Sequence, residues 1–192
     1  MTEAMMDAFV DIRLLPDPEF PPTTLMNALF GKLHRGLVAF GEGAIGVSFP
    51  DVRERIHSLG TRMRLHGTAE TLHRFMATEW LAGMRDHVTS APPAPVPPET
   101  RHQIVRRVQV QSNPERLRRR LIARKGISEE AARAAFPDNC TQKLDLPYVI
   151  LRSNSTGQQF RLFIEHLPPQ NQAQTGEFSA YGLSPDATVP YF

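Results

Sequence analysis

Cysteine is almost absent: Cys140 stands alone among 192 residues. An intramolecular disulfide and a cysteine-based zinc site are thereby excluded, and a reducing compartment fits. No apolar run approaches about 18 residues, so no membrane span is expected. Residues 1–7 lack a basic segment followed by an apolar run. No secretory signal is expected there, residues 1–5 read as an extended or alternative start, and the expected location is the cytoplasm. There is no GxxxxGK[ST] and no GxGxxG after a strand, so no phosphate cradle is expected. His34, His57, His66, His73, His87, His102 and His166 are scattered without an HxxxH or HExxH spacing, and the acids form no compact cluster. Neither a metal nor another cofactor is expected.

Charge is present but unevenly placed. The formal net charge is only +2, which by itself points to no partner. Residues 101–125, RHQIVRRVQVQSNPERLRRRLIARK, hold eight arginines and one lysine against one acid, Glu115. That segment is +8, so the remainder is −6 by the same count (2 − 8). Such concentration is the footprint of a polyanion site. A merely solvated helix face would mix both signs to limit self-repulsion.

The first half reads as an alternation of strands and helices. Residues 8–15 suggest a strand, and Pro21-Pro22 introduce a helix over 23–39 with Leu25, Met26, Leu29, Phe30, Leu33 and Leu37 at helical spacing. Residues 44–49 and 61–66 read as strands. Thr68 can cap a helix through about Met76, and a short helical stretch near Trp80–Met84 and a weak strand at 87–90 follow. The order βαββαβ is the ferredoxin-like pattern, which hosts many functions. Residues 91–98, APPAPVPP, cannot form a helix or an inner strand and read as an extended linker or exposed loop. The expected organisation is a domain at 1–90, a proline-rich linker at 91–101 and a second domain at 102–192. The fold class is α+β.

In the second half, strand alternation over 103–111 puts Arg107 and Gln109 side by side on one face. Ser112-Asn-Pro-Glu115 is a capping box that opens a helix to about Lys125, with Gly126 just past its end. At about 100° per residue, Arg116, Arg119, Arg120 and Ala123 share one side, with Arg124 at its edge. Leu117 and Leu121 lie beyond and can pack on the protein. Ser128 caps a second short helix that Pro137 ends. Residues 147–153 and 158–165 flank Asn154-Ser155-Thr156-Gly157 as a hairpin, and 177–183 is a plausible further strand.

The arginine-rich helix suits phosphates, since guanidinium groups fork onto phosphate oxygens or guanine, while glutamine can read adenine. Arg107 and Gln109 are a candidate base-reading pair. A nuclease built from these residues must be metal-independent, which suits RNA: a base removes the 2′-hydroxyl proton and that oxygen attacks the adjacent phosphate. Histidine fits near neutral pH. His34 sits late in the first helix beside the apolar stripe, where position alone favours an ordinary half-buried histidine over a catalytic one. Ser153 and Ser155 could be turn residues, and Phe160 and Tyr181 sheet core.

Several long segments stand out. DIRLLPDPEFPPTTLMNALFGKLH (11–34), IGVSFPD (45–51), RVQVQSNPERLRRRL (107–121), LDLPYVILRSNSTGQQFRLFI (144–164), YGLS and VPYF stand in one order along almost the whole chain. In them the chain closely resembles the CRISPR-associated repeat-processing endoribonucleases of subtype I-F. The resemblance implies a ferredoxin-like N-terminal domain and an RNA-binding C-terminal half. It implies metal-independent cleavage of the CRISPR precursor transcript at the 3′ base of the repeat hairpin, leaving 2′,3′-cyclic phosphate and 5′-hydroxyl ends, with the product retained. His34 falls on the family's catalytic histidine, Ser153 on its nucleophile-positioning serine and Tyr181 on a tyrosine near the cleavage site. Arg107 and Gln109 fall on the base-reading pair, and Arg119, Arg120 and Arg124 on the groove-entering helix, beside which Arg116 and Lys125 are further candidate RNA contacts. Phe160 falls on a stacking aromatic and Ser155 on a polar contact. Ala123 interrupts the arginine run. The implied partners are the repeat hairpin, as precursor and as mature crRNA, and other subunits of a type I-F RNA-guided interference complex, with one protein monomer per crRNA. A non-catalytic hairpin-binding subunit, and a structural protein whose basic helix meets an acidic protein surface, are the alternatives.

Overall fold

A computed structural model describes residues 6–109, 114–137, 144–153 and 157–192, the side chains of Pro114 and Arg116 excepted. Ser112 of the expected capping box, Ser155 and Cys140 lie outside the described residues, as does the side chain of Arg116. The fold is mixed α+β, with four α-helices and two antiparallel sheets among the described residues.

Strand β1 (Ala8–Leu14) alternates, and Ala8, Val10, Ile12 and Leu14 point into the core. Helix α1 (Pro22–Phe40) begins at a proline, whose missing N–H is no loss in a first turn. It ends where Gly41, at φ 74°, donates its N–H to Leu37 O. All six residues of the expected stripe, Leu25 to Leu37, are buried; each such side chain contributes about 1.5–3 kcal/mol by leaving water. Then come β2 (Gly46–Ser48), β3 (Arg62–Gly67), α2 (Ala69–Ala77), β4 (Val88–Ser90) and β5 (Ala94–Pro95). Thr68 caps α2 by accepting from Thr71 N at 3.1 Å. The strand order is β2-β3-β1-β4, with β5 also on β1.

Two local expectations are corrected here. Residues 80–84 form turns rather than a helix, followed by a 3-10 turn at Arg85–His87; Gly83, at φ 76°, breaks the helical backbone. The proline-rich stretch is extended, but it also pairs: Ala94 faces Phe9, Pro95 faces Ala8, and Val96 N donates to Asp7 O. Prolines fit there because this is an edge strand, where a missing donor costs little.

The second sheet runs β7 (Tyr148–Arg152), β8 (Gln159–His166), β6 (Arg101–Val108), β9 (Thr188–Tyr191) in spatial order. Strand β9 was not expected; the expected strand at 177–183 is instead irregular chain and a turn. Gly182, at φ 70°, is left-handed and cannot continue a strand. By contacts, Met1–Arg107 and Leu146–Phe192 form one compact unit and Val108–Asp145 another, limits that differ from the expected division at 91–101. In the smaller unit, α3 (Pro114–Lys125) packs with α4 (Glu129–Ala135), which Ser128 caps through Ala131 N.

A polar knot in the larger unit ties its strands together. Arg64, 5% exposed, grips Asp11 with two hydrogen bonds of 2.6 and 2.9 Å and also donates to Phe192 O. Its guanidinium lies over the rings of Phe9 and Phe192. Burial pushes the Asp11 carboxyl up, but the hydrogen bond from Arg64 and the charges of Arg64, Arg62 and Arg13 outweigh it and hold its pKa below the usual value.

Candidate active site and nucleic-acid interface

His34 lies two turns from the end of α1, half-buried at the margin of the core stripe. Its Nδ1–H donates to the carbonyl of Ala180 at 2.8 Å. Tyr181, the next residue, covers the imidazole face with ring centroids 4.1 Å apart. The same phenol is nearly parallel to Phe30, one helical turn before His34 on α1, at 6.3 Å and 5°. Tyr181 also carries the guanidinium of Arg107 at 5.6 Å from its centroid, within cation–π range. One aromatic ring therefore joins α1 to the end of β6, and three residues distant in sequence, His34, Arg107 and Tyr181, meet.

Ser153 follows the last residue of β7, half-buried; its N–H donates to Gln158 O and its carbonyl accepts from Gly157 N. Strand β7 lies along α1. Asn27 Oδ1 accepts from Ile150 N at 2.9 Å, and a methyl at Gly31 would lie 3.8 Å from Leu151 Cδ2. That is an ordinary van der Waals distance, so strand and helix are close neighbours here without needing glycine at 31. Phe160 on β8 is partly buried against the core, as a sheet residue would be.

Arg107 is exposed near the end of β6, but the strand stops at Val108 and Gln109 falls just beyond it. Both side chains are exposed. The neighbouring Arg106 is engaged elsewhere, its Nε 2.8 Å from Glu165. On α3, Arg119, Arg120, Arg124 and Lys125 are all exposed. Arg118 is different: it is 8% exposed and its Nε donates to Phe136 O at 2.7 Å, pinning α3 to the end of α4. Its place beside Leu117, Leu121 and Ile122 on the helical wheel was the available signal for that structural role. The Ala180 carbonyl had no such signal, because main-chain acceptors carry no residue identity.

Known proteins resemble this chain along nearly all of its length. The model of the family described as "CRISPR-associated protein (Cas_Csy4)" matches residues 9–192. The chain belongs to the Cas_Csy4 family. A protein of Pseudomonas aeruginosa (strain UCBPP-PA14) named CRISPR-associated endonuclease Cas6/Csy4 is 56% identical over 187 residues, which are 97% of this chain and 100% of that protein. A protein of the same name from Escherichia coli (strain UTI89 / UPEC) is 46% identical over the same share of each. The match extends over α1, β6, α3, β7 and the 179–183 turn alike, so the Cas_Csy4 likeness covers the elements that carry every candidate residue above.

Proposed function

We propose that this chain is a metal-independent endoribonuclease that binds the CRISPR repeat hairpin and cuts precursor crRNA at the 3′ base of the stem. The observation that carries the reading is the meeting of His34, Tyr181 and Arg107 around one ring, in a family whose relatives are named endonucleases. His34 takes the proton of a 2′-hydroxyl, and that oxygen attacks the adjacent phosphate. The bond to the 5′-oxygen breaks, leaving a 2′,3′-cyclic phosphate and a 5′-hydroxyl, so no metal-bound water is needed as nucleophile.

Ser153 holds the attacking hydroxyl in line. The register of β7 on α1 supports this. From Asn27 to His34 the helix advances about 10 Å at 1.5 Å per residue, and from Ile150 to Ser153 the strand advances about 10 Å at 3.3 Å per residue. With Asn27 bonded to Ile150, equal advances favour His34 and Ser153 at the same end of the contact. Arg107, with Gln109, reads bases at the stem foot, and Phe160 and Ser155 contact RNA near the scissile end. Arg116, Arg119, Arg120, Arg124 and Lys125 on α3 meet phosphates in the groove. The strand order β2-β3-β1-β4 supports a ferredoxin-like arrangement of the N-terminal βαββαβ segment. The N-terminal 1–90 carries the catalytic histidine and 102–192 most of the RNA contacts. The product stays bound, one monomer per crRNA, within a larger RNA-guided complex in the cytoplasm.

Incubation of the purified protein with the repeat RNA of its own genome, in chelator, tests this directly. A single cut at the 3′ foot of the stem with a cyclic phosphate end is the expected result. Tight hairpin binding without cleavage would make the chain a non-catalytic subunit, and cleavage only on addition of metal would sink the chemistry.

A further inference from the structure

The segment after Phe178 is fastened more heavily than an exposed turn requires. Phe178 N donates to Gly43 O, Val47 N to Gly182 O, and Ser184 N to Val105 O, so it is tied to β2 and to β6. Within the turn, Gly182 N donates to Ser179 O at 2.8 Å and Ser179 N to Leu183 O at 2.9 Å. The Ser179 hydroxyl adds a second bond to Leu183 O at 2.8 Å. Gly182 sits at φ 70°, and a Cβ there would lie 2.4 Å from Val47 Cγ2. Both the backbone conformation and the packing therefore require glycine. The only outward polar link of this rigid turn to α1 that the described side chains show is the Ala180 carbonyl on His34 Nδ1.

We propose that the 179–183 turn sets the tautomer and aim of His34: the Ala180 carbonyl takes the Nδ1 proton, and Ser179 and Gly182 are positioning residues that hold that carbonyl. A carbonyl oxygen only accepts, so the neutral ring must carry its hydrogen on Nδ1. The lone pair is then at Nε2, on the opposite side of the imidazole. An unconstrained imidazole divides itself between both tautomers, and the Nε2–H form has no lone pair at Nε2 with which to take a proton. A group that fixes the tautomer of a catalytic histidine can carry a large part of its rate. The Tyr181 stack adds a second constraint, since it stops rotation about the Cβ–Cγ bond without fixing the proton. The inference rests on the reading of His34 as the general base.

The test uses the full chain, its own repeat hairpin, and nitrogen-15 NMR of His34 at a pH where the ring is neutral. Wild-type protein is expected to show the Nδ1–H tautomer. Gly182→Ala should show a mixture of tautomers and cleave about 10-fold or more slowly, with hairpin affinity within about 3-fold, a rate loss of about 1.4 kcal/mol or more. Ser179→Ala should shift both readouts the same way by less, and it carries the test if Gly182→Ala does not fold. An Nε2–H tautomer in the wild type would overturn the proposal. So would slow cleavage by either variant with the Nδ1–H tautomer intact, which would make the turn a structural element only. Normal cleavage by His34→Ala would instead overturn the base reading, while the tautomer spectrum would still report whether the turn fixes the ring.

Discussion

The ring of Tyr181 lies flat on the imidazole of His34, 4.1 Å between centroids and 13° from parallel, while the guanidinium of Arg107 sits 5.6 Å from the same ring's centroid. A residue proposed to read RNA and a residue proposed to cut it thus share one aromatic surface. On that proposal, substrate engaged by Arg107 would bear on the ring that stacks on His34.

That arrangement works through the face of the ring, so phenylalanine should serve. Tyr181→Phe is expected to keep cleavage within about 3-fold, whereas Tyr181→Ala loses a stack of about 0.5–1.5 kcal/mol, or about 2–10-fold in rate. Single-turnover cleavage at saturating protein separates this from binding. A Tyr181→Phe variant as slow as Tyr181→Ala would transfer the role to the hydroxyl.

The exposed arginines of α3 should act on affinity alone. Replacing Arg119, Arg120 and Arg124 with glutamine removes three exposed cations and leaves the buried Arg118 that pins the helix. Hairpin affinity should fall, and its dependence on salt should flatten by a slope of about 0.7–0.9 for each phosphate that is no longer neutralised. Titrations across a range of salt concentrations read this. An unchanged slope would put the RNA on another face.

Acid should destabilise the protein before it reaches the carboxylate range. His66 is fully buried beside Ser48, and burial, aided by the charge of Arg64, lowers its pKa from 6.5 to about 3. Burial lowers His166 to about 4. Each is neutral when folded and binds a proton when unfolded, so the stability they confer is complete above about pH 6.5 and is lost as pH falls toward 3–4. The slope is about 1.4 kcal/mol per pH unit for each histidine. Urea unfolding at pH 6.5, 5.5 and 4.5 should show it, and His66→Gln should remove about half. Equal stability at pH 6.5 and 4.5 would refute the assignment.

What was legible in the sequence was whatever has a local cause. Helix α1 followed from its apolar spacing and its leading prolines, α2 and α4 from Thr68 and Ser128, and the β7–β8 pair from two strand-like runs about a turn. The segment at 177–183 was misread because its conformation is set by bonds to Gly43, Val47 and Val105, more than 70 residues away. Strand β9 was missed since Pro190 argues against a strand unless its edge position is known. His34 illustrates the limit at the site itself. Its place on α1 was readable, and the family resemblance picked it out, but its partners come from a turn 146 residues later.

The decisive prediction separates chemistry from binding. His34 lies on α1, whereas the exposed arginines lie on α3 in a different compact unit. His34→Ala should therefore retain most hairpin affinity while losing cleavage by about 10²–10⁴-fold, the usual range for a general base. Chelator should leave the wild type unaffected. A single 2′-deoxy substitution on the nucleotide just upstream of the scissile phosphate removes the nucleophile and little else, so it should abolish cutting and spare binding. The two results discriminate between parts of the mechanism. Normal cleavage by His34→Ala would keep the 2′-hydroxyl attack and remove only the choice of base. Normal cleavage of the deoxy substrate would sink the mechanism outright, because water would then have to be the attacking group and Ser153 would have no 2′-hydroxyl to hold in line.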